Sequence, residues 1–176
     1  MTQPTYIGID PGVRGAIAVL QGTAAFVYDM PIIDVGKGGK ERNVVDAPAL
    51  TMLLHKIIAE HRACDMRGWI EEVGSRSTDS GMRAFRFGMG YGVILGVLGA
   101  LGVPYRQVRP QVWKARWQLI GKDKSYSLLA ARHTYPALVD QLRRAKDDGR
   151  AEALLIAEYG RQLDGYRASD VLKGTK

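Results

Sequence analysis

The order of its apolar segments predicts an α/β fold, a mixed sheet of five strands flanked by helices. Three short strand-like runs fill the first 30 residues, and helical periodicities then alternate with two further apolar runs. No repeat, heptad array or linker interrupts that order. Residues 1–163 are therefore expected to form a single domain, and residues 164–176 a polar tail without a core pattern.

The first hairpin organises the rest. Tyr6-Ile7-Gly8-Ile9-Asp10 and Ala16-Ile17-Ala18-Val19 flank Pro11-Gly12-Val13-Arg14-Gly15, so the first strand ends on a carboxylate beside a tight turn. Asp10 either bonds its own turn or projects from a rigid strand end into a cleft. Gly22-Thr23 makes a second turn, and residues 24–30 a third strand, giving an antiparallel meander. Residues 31–45 read as a loop with the mobile basic centre Gly36-Lys37-Gly38-Gly39-Lys40, which lacks the ending of a nucleotide P-loop. No nucleotide cofactor is expected.

Asp46 reads as a helix N-cap with Pro48 in the first turn. Leu50, Leu53, Leu54, Ile57 and Ile58 follow at helical spacing, leaving His55 and His61 off the stripe and solvent-exposed. Residues 68–73 read as a strand in which alternation turns Glu71 and Glu72 to opposite faces. A helix over 83–101 carries Gly88, Gly92 and Gly96 on one stripe. Each helical glycine costs about 1 kcal/mol against alanine, so the stripe implies close packing on the sheet or on another subunit. A strand over 103–108 follows, then a short helix over 111–119 with Trp113 and Trp117 on one face. A helix beginning at Gly121-Lys122-Asp123-Lys124-Ser125 runs to about Tyr135, and a weaker one covers 137–145. Lysines at a helix start oppose the macrodipole unless they face an anion. In the last helix, Asp148 lies at or just before the start and Glu152 one turn in. They either cap that helix or share one face toward a site.

The net charge is +7, from 25 basic and 18 acidic residues. From Arg83 to Arg144 eleven Lys and Arg stand against only Asp123 and Asp140, interleaved with Phe85, Phe87, Trp113, Trp117 and Tyr126. That interleaving favours a nucleic-acid surface. The uncharged run 89–103 is too short and too glycine-rich to span a membrane. Cys64 is the single cysteine, which rules out an internal disulfide and fits a small buried residue in a reducing compartment. No charged-then-apolar leader opens the sequence, so a cytoplasmic location is expected.

Asp10 thus stands at the end of the first strand, Glu71 at the end of the fourth, and Asp148 and Glu152 at the start of the last helix. Carboxylates gathered in one place repel, and hard oxygen donors suit Mg²⁺ or Mn²⁺; a pair of such ions would serve phosphodiester hydrolysis. No Ser-His-Asp, Cys-His or zinc-type set competes.

From Tyr6 to about Tyr159 the chain resembles the RuvC-type Holliday-junction resolvases of the RNase H-like superfamily, especially the shorter versions carried by phages. Ile7-Gly8-Ile9-Asp10-Pro11-Gly12 is similar to the first family motif. Ile70-Glu71-Glu72-Val73 is similar to the second, in which the first glutamate is the ligand. Val112-Trp113-Lys114 and Gly121-Lys122-Asp123-Lys124-Ser125 resemble its two lysine motifs, and Glu152-Ala153-Leu154 its final acidic position. The resemblance implies an RNase H-like sheet, a three-stranded antiparallel meander plus two parallel strands. It also implies a homodimer that resolves four-way or otherwise branched DNA by two-metal hydrolysis, with two Mg²⁺ per site, in a bacterial cytoplasm. Asp10, Glu71, Asp148 and Glu152 become the catalytic metal ligands, and Lys114 and Lys124 phosphate contacts. Lys122, Arg76, Arg83 and Arg86 complete the expected DNA-binding set. Two departures stand out. The family spaces its last two ligands three apart, where this chain has Gly149, so Asp148 serves from one position farther with Asp147 as the alternative. The wedge aromatic after the second motif is missing, leaving Met82 or Phe85 for that task. A broader nuclease on branched DNA or RNA–DNA hybrids, and a non-catalytic junction-binding protein, remain the alternatives.

Overall fold

The computed structural model describes residues 4–37, 42–61, 65–74 and 80–165. Its main sheet has five strands in the order β3-β2-β1-β6-β7. β1 (Thr5–Asp10), β2 (Ala16–Gln21) and β3 (Ala24–Asp29) form the expected antiparallel meander. β6 (Met66–Glu71) joins β1 in parallel, and β7 (Tyr105–Val108) joins β6 in parallel. α1 (Ala47–Glu60) and α2 (Gly81–Ala100) lie toward one face, while α3 (Pro110–Arg116), α4 (Lys124–Thr134) and α5 (Asp148–Leu163) cover the other.

Alternation along β1 sorts the two cores. Ile7 and Ile9 join Ile17, Ile70 and the α1 leucines on one side. Tyr6 joins Trp69, Trp113 and the apolar face of α5 on the other. Gly8 also faces α5, where a Cβ would collide with the backbone of Ala153 and Ala157. The sheet and its central helix meet backbone to backbone at that point. By the same period of two, Asp10 leaves the sheet on the α5 side.

Three expectations need correction, and one pair of alternatives is decided. Residues 31–45 are not all loop: β4 (Ile32–Asp34) and β5 (Asn43–Val45) pair as a separate two-stranded ribbon. The β-branched pairs Ile32-Ile33 and Val44-Val45 favour extended backbone, a preference the intervening glycines mask in the sequence. The weak helix over 137–145 is instead 3₁₀ structure over Pro136–Leu142 and Ala145–Asp147. His61 is buried, because it caps the C-terminus of α1 and turns off the helical face. Its ring stacks at a tilt 4.9 Å from Phe26, and its carbonyl accepts from Gln21 Nε2. Finally, Gly88, Gly92 and Gly96 do not pack on the sheet: the Cβ positions of all three face open space. Cys64, Arg76, the centre of the basic loop (38–40) and nearly all of the expected tail lie outside the described residues.

Candidate active site

β1 and β6 run parallel with Ile9 beside Ile70, so the next residues, Asp10 and Glu71, end adjacent strands side by side. Trp69 packs in the α5-side core, and Glu71, two residues on, shares its face. Glu72 lies beyond β6 and is exposed; its backbone N–H is tied to the Val108 carbonyl. Trp113, fully buried on α3, donates its indole N–H to Glu71 Oε2 at 2.8 Å. This bond fixes the carboxylate at the strand tip.

α5 delivers the other two carboxylates. Asp148 is its first residue and Glu152 lies one turn on, both buried. Gly149 between them abuts the Arg14 carbonyl and Gly15, where no side chain fits. The spacing of three typical of the resembled family is therefore closed here. Asp147 turns elsewhere. Its carboxylate accepts from the backbone N–H of Arg144 at 2.8 Å and from that residue's guanidinium at 2.7 Å, capping the preceding turn.

Two lysines enter the cluster from opposite sides. Lys114 Nζ lies 3.2 Å from Glu152 Oε1, and Lys124 Nζ pairs closely with Asp148 Oδ2. Lys124 is the first residue of α4, and its charge at that N-terminus is answered by Asp148. Burial is the largest single influence and disfavours its ammonium, but the Asp148 hydrogen bond and the charges of Asp148, Glu152 and Asp10 together raise the Lys124 pKa above the ordinary value. Ser127, one turn along α4, donates to Glu152 Oε1 at 3.3 Å. Burial, with Glu152 and then Glu71 adding like charge, pushes the Asp10 carboxyl up to about 7 against the opposing Gly12 N–H and Lys124. A carboxyl raised by like charge in this way favours the approach of positive charge.

Among the described residues no three acidic, His or Cys side chains form a finished metal cage. The chemistry of the set is that of a hard-cation site, since every donor atom is a carboxylate oxygen, and ammonium groups answer Asp148 and Glu152. Of the expected DNA contacts, Lys114 and Lys124 reach the cluster. Lys122 sits before α4 with its ammonium 5.2 Å from the Tyr126 ring centroid, and Arg83 and Arg86 are exposed at the start of α2.

No protein-family model and no curated protein matches the chain. Solved structures do. The chain superposes on T. thermophilus RuvC in complex with Holliday junction substrate with a TM-score of 0.58, at 17% identity, over 92% of this chain and 96% of that one. The chain has the RuvC fold. A second Thermus thermophilus RuvC structure gives a TM-score of 0.52 at 20% identity, over 90% of this chain and 96% of that one. The yeast mitochondrial Holliday junction resolvase Ydc2 gives 0.52 at 15% identity, over 97% and 86%. Trp113 and Ser127 also touch the candidate carboxylates: the sequence placed Trp113 among the aromatics of a basic surface and in a lysine motif without giving it a carboxylate partner, and it assigned Ser127 no role. A buried serine three residues after Lys124, on the same helix face, was the available clue to the second.

Proposed function

We propose that this chain is a metal-dependent, structure-selective endodeoxyribonuclease that resolves four-way DNA junctions. One observation carries the reading: on the RuvC fold, Asp10, Glu71, Asp148 and Glu152 gather at one end of the sheet with two lysines among them. Asp10, Glu71, Asp148 and Glu152 would hold the metal, two Mg²⁺ per site with Mn²⁺ able to substitute. Such ions, when bound, polarise a phosphodiester and supply hydroxide at neutral pH.

The chain's own residues do the rest. Trp113 and Ser127 hold Glu71 and Glu152 in place through side chains that are themselves buried. Lys114 and Lys124 offset the acidic charge, so that a polyanionic backbone can approach carboxylates that would otherwise repel it. In this reading both lysines would contact phosphate, a role their reach into the carboxylate cluster supports. Symmetric cutting of a junction needs two sites, and the open glycine stripe of α2 supports a homodimer. The RuvC solved with a Holliday junction supports branched DNA as the partner.

The test is cleavage of a four-way junction beside a linear duplex, a fork and an RNA–DNA hybrid, with Mg²⁺ and with EDTA. Paired cuts confined to the junction and abolished by EDTA are expected. Equal cutting of the fork or hybrid would shift the reading to a broader nuclease, and tight junction binding without cutting to a binding protein.

A further inference from the structure

Each of the four gathered carboxylates has one oxygen held by a donor of the chain's own. Asp10 Oδ1 accepts from the Gly12 backbone N–H at 3.3 Å, and Glu71 Oε2 from the Trp113 indole at 2.8 Å. Glu152 Oε1 accepts from the Ser127 hydroxyl at 3.3 Å and lies 3.2 Å from Lys114 Nζ, while Asp148 Oδ2 pairs with Lys124. These donors are of two kinds. The ammonium groups end long side chains, and that of Lys124 is largely exposed. The neutral donors are held by the fold: the Gly12 N–H belongs to the turn after β1, Trp113 is fully buried, and Ser127 is buried on α4. A neutral donor does not compete with a cation for the carboxylate's charge. It directs which oxygen the carboxylate offers.

That direction bears on which cation fits. Mg²⁺ demands a near-ideal octahedron and keeps several waters, so it asks little of each carboxylate. Ca²⁺ takes about six to eight oxygens and often both from one carboxylate. A carboxylate with one oxygen tied to a buried indole can grip Ca²⁺ with both only by breaking that bond. The N–H is then left unpaired away from water, which is costly. The Trp113 bond is the shortest of the three neutral ones, and its donor is the most deeply buried. We infer that Trp113, with Ser127 in a lesser part, weights this site toward a small octahedral cation and against Ca²⁺. The inference rests on the metal-dependent reading of the carboxylates and adds to it what sets the choice of ion. Trp113 acts through Glu71, as a positioning residue.

The experiment is metal binding by the full chain without DNA. Loss of the free-ion Mn²⁺ paramagnetic resonance signal gives the Mn²⁺ affinity, and displacement by Mg²⁺ and by Ca²⁺ gives the other two. Trp113→Phe keeps an apolar ring and removes the N–H. It should raise Ca²⁺ affinity relative to Mg²⁺ by about tenfold, the worth of one buried hydrogen bond. Ser127→Ala should shift the same ratio in the same direction by about threefold, and it carries the test alone if Trp113→Phe does not fold. Trp113→His should restore the wild-type ratio at a pH where imidazole is neutral, because imidazole carries Nε2 at the ring position where indole carries Nε1. Equal losses for both ions would make Trp113 a packing residue, and unchanged affinities would remove it from the site. A Trp113→His variant that behaves like Trp113→Phe would assign the shift to the altered cavity. Each of these overturns the inference. Junction cleavage by wild type in Mg²⁺ is the separate arm. Cleavage with a ratio insensitive to both Trp113→Phe and Ser127→Ala sinks the inference alone, and a sensitive ratio without cleavage sinks the nuclease alone. A wild type that leaves the Mn²⁺ signal intact removes the metal reading, and the inference with it.

Discussion

α5 and α2 are both long and both rich in small residues, yet the molecule uses them in opposite ways. On α5 nearly every residue is buried, and its contacts with the sheet are backbone to backbone through Gly8 and Gly149. On α2 only Ile94 and Leu98 are buried, and Gly88, Gly92, Gly96 and Gly99 meet nothing. The same residue type is a packing necessity in one helix and an unfilled surface in the other. Rigid placement of Asp148 and Glu152 depends on the first, and the second leaves one face of α2 uncovered within the chain.

The sharpest way to break this contrast is to add a methyl group on the α5 side. Gly8→Ala drives a Cβ into the Ala153 carbonyl and the Ala157 backbone, which cannot move aside as a side chain would. A loss of more than about 3 kcal/mol is expected in urea denaturation, a large share of a typical domain's stability. A loss below about 1 kcal/mol would mean α5 floats on the sheet, and the site geometry with it.

Next in size is the chemistry that α5 and β1 share. Asp10→Asn should abolish Mg²⁺-dependent junction cleavage while DNA binding holds or improves; near-normal cutting would remove Asp10 from the site. The same variant tests the charge crowding. In wild type the native state holds the Asp10 proton more tightly than the unfolded chain does, since its pKa rises from 3.8 to about 7. Metal-free stability attributable to Asp10 should therefore fall as pH rises from about 4 through 7 and level off above. Asp10→Asn should lack that fall, which denaturation curves across the range would show directly.

Much of this was readable in the sequence, for identifiable reasons. The meander, the existence of β6 and β7 and the starts of α1 and α5 follow from period and capping, which are local, whereas the parallel pairing of β6 and β7 came from the family resemblance. Alternation alone separates Glu71 from Glu72. What escaped was non-local. The burial of His61 depends on Gln21 and Phe26, 40 and 35 positions away in the chain. The role of Trp113 depends on Glu71, 42 positions away. The β4–β5 ribbon escaped because glycine counts outweighed two β-branched pairs.

A pair of substitutions sharpens the α5 start. Asp148→Asn should leave the melting temperature nearly unchanged and lose cleavage. Asp147→Asn should keep cleavage but lose about 1–3 kcal/mol, since its charged bonds to Arg144 hold the preceding turn. The reverse pattern would put Asp147 in the site. Lys114→Ala and Lys124→Ala, smaller still, should each lower the salt slope of duplex binding by about 0.9, and unchanged slopes would leave both lysines as counter-charges only.

The smallest effect falls on α2, and it decides what that helix is for. Gly92→Ala adds a methyl group where nothing lies within reach, so in an isolated chain it should stabilise the helix by up to about 1 kcal/mol. Gly90 is the internal control, since its added Cβ would touch only Val45 Cγ2 at 3.5 Å, ordinary contact within the chain. If a second copy covers the stripe, the Gly92 methyl group falls between two backbones and the dimer should dissociate about tenfold more readily, while Gly90→Ala leaves association unchanged. Sedimentation over a dilution series, paired with denaturation at low concentration, separates the two effects. A stabilised monomer with weakened association marks the stripe as an interface. A stabilised monomer with association unchanged leaves the stripe uncovered and moves any subunit contact elsewhere.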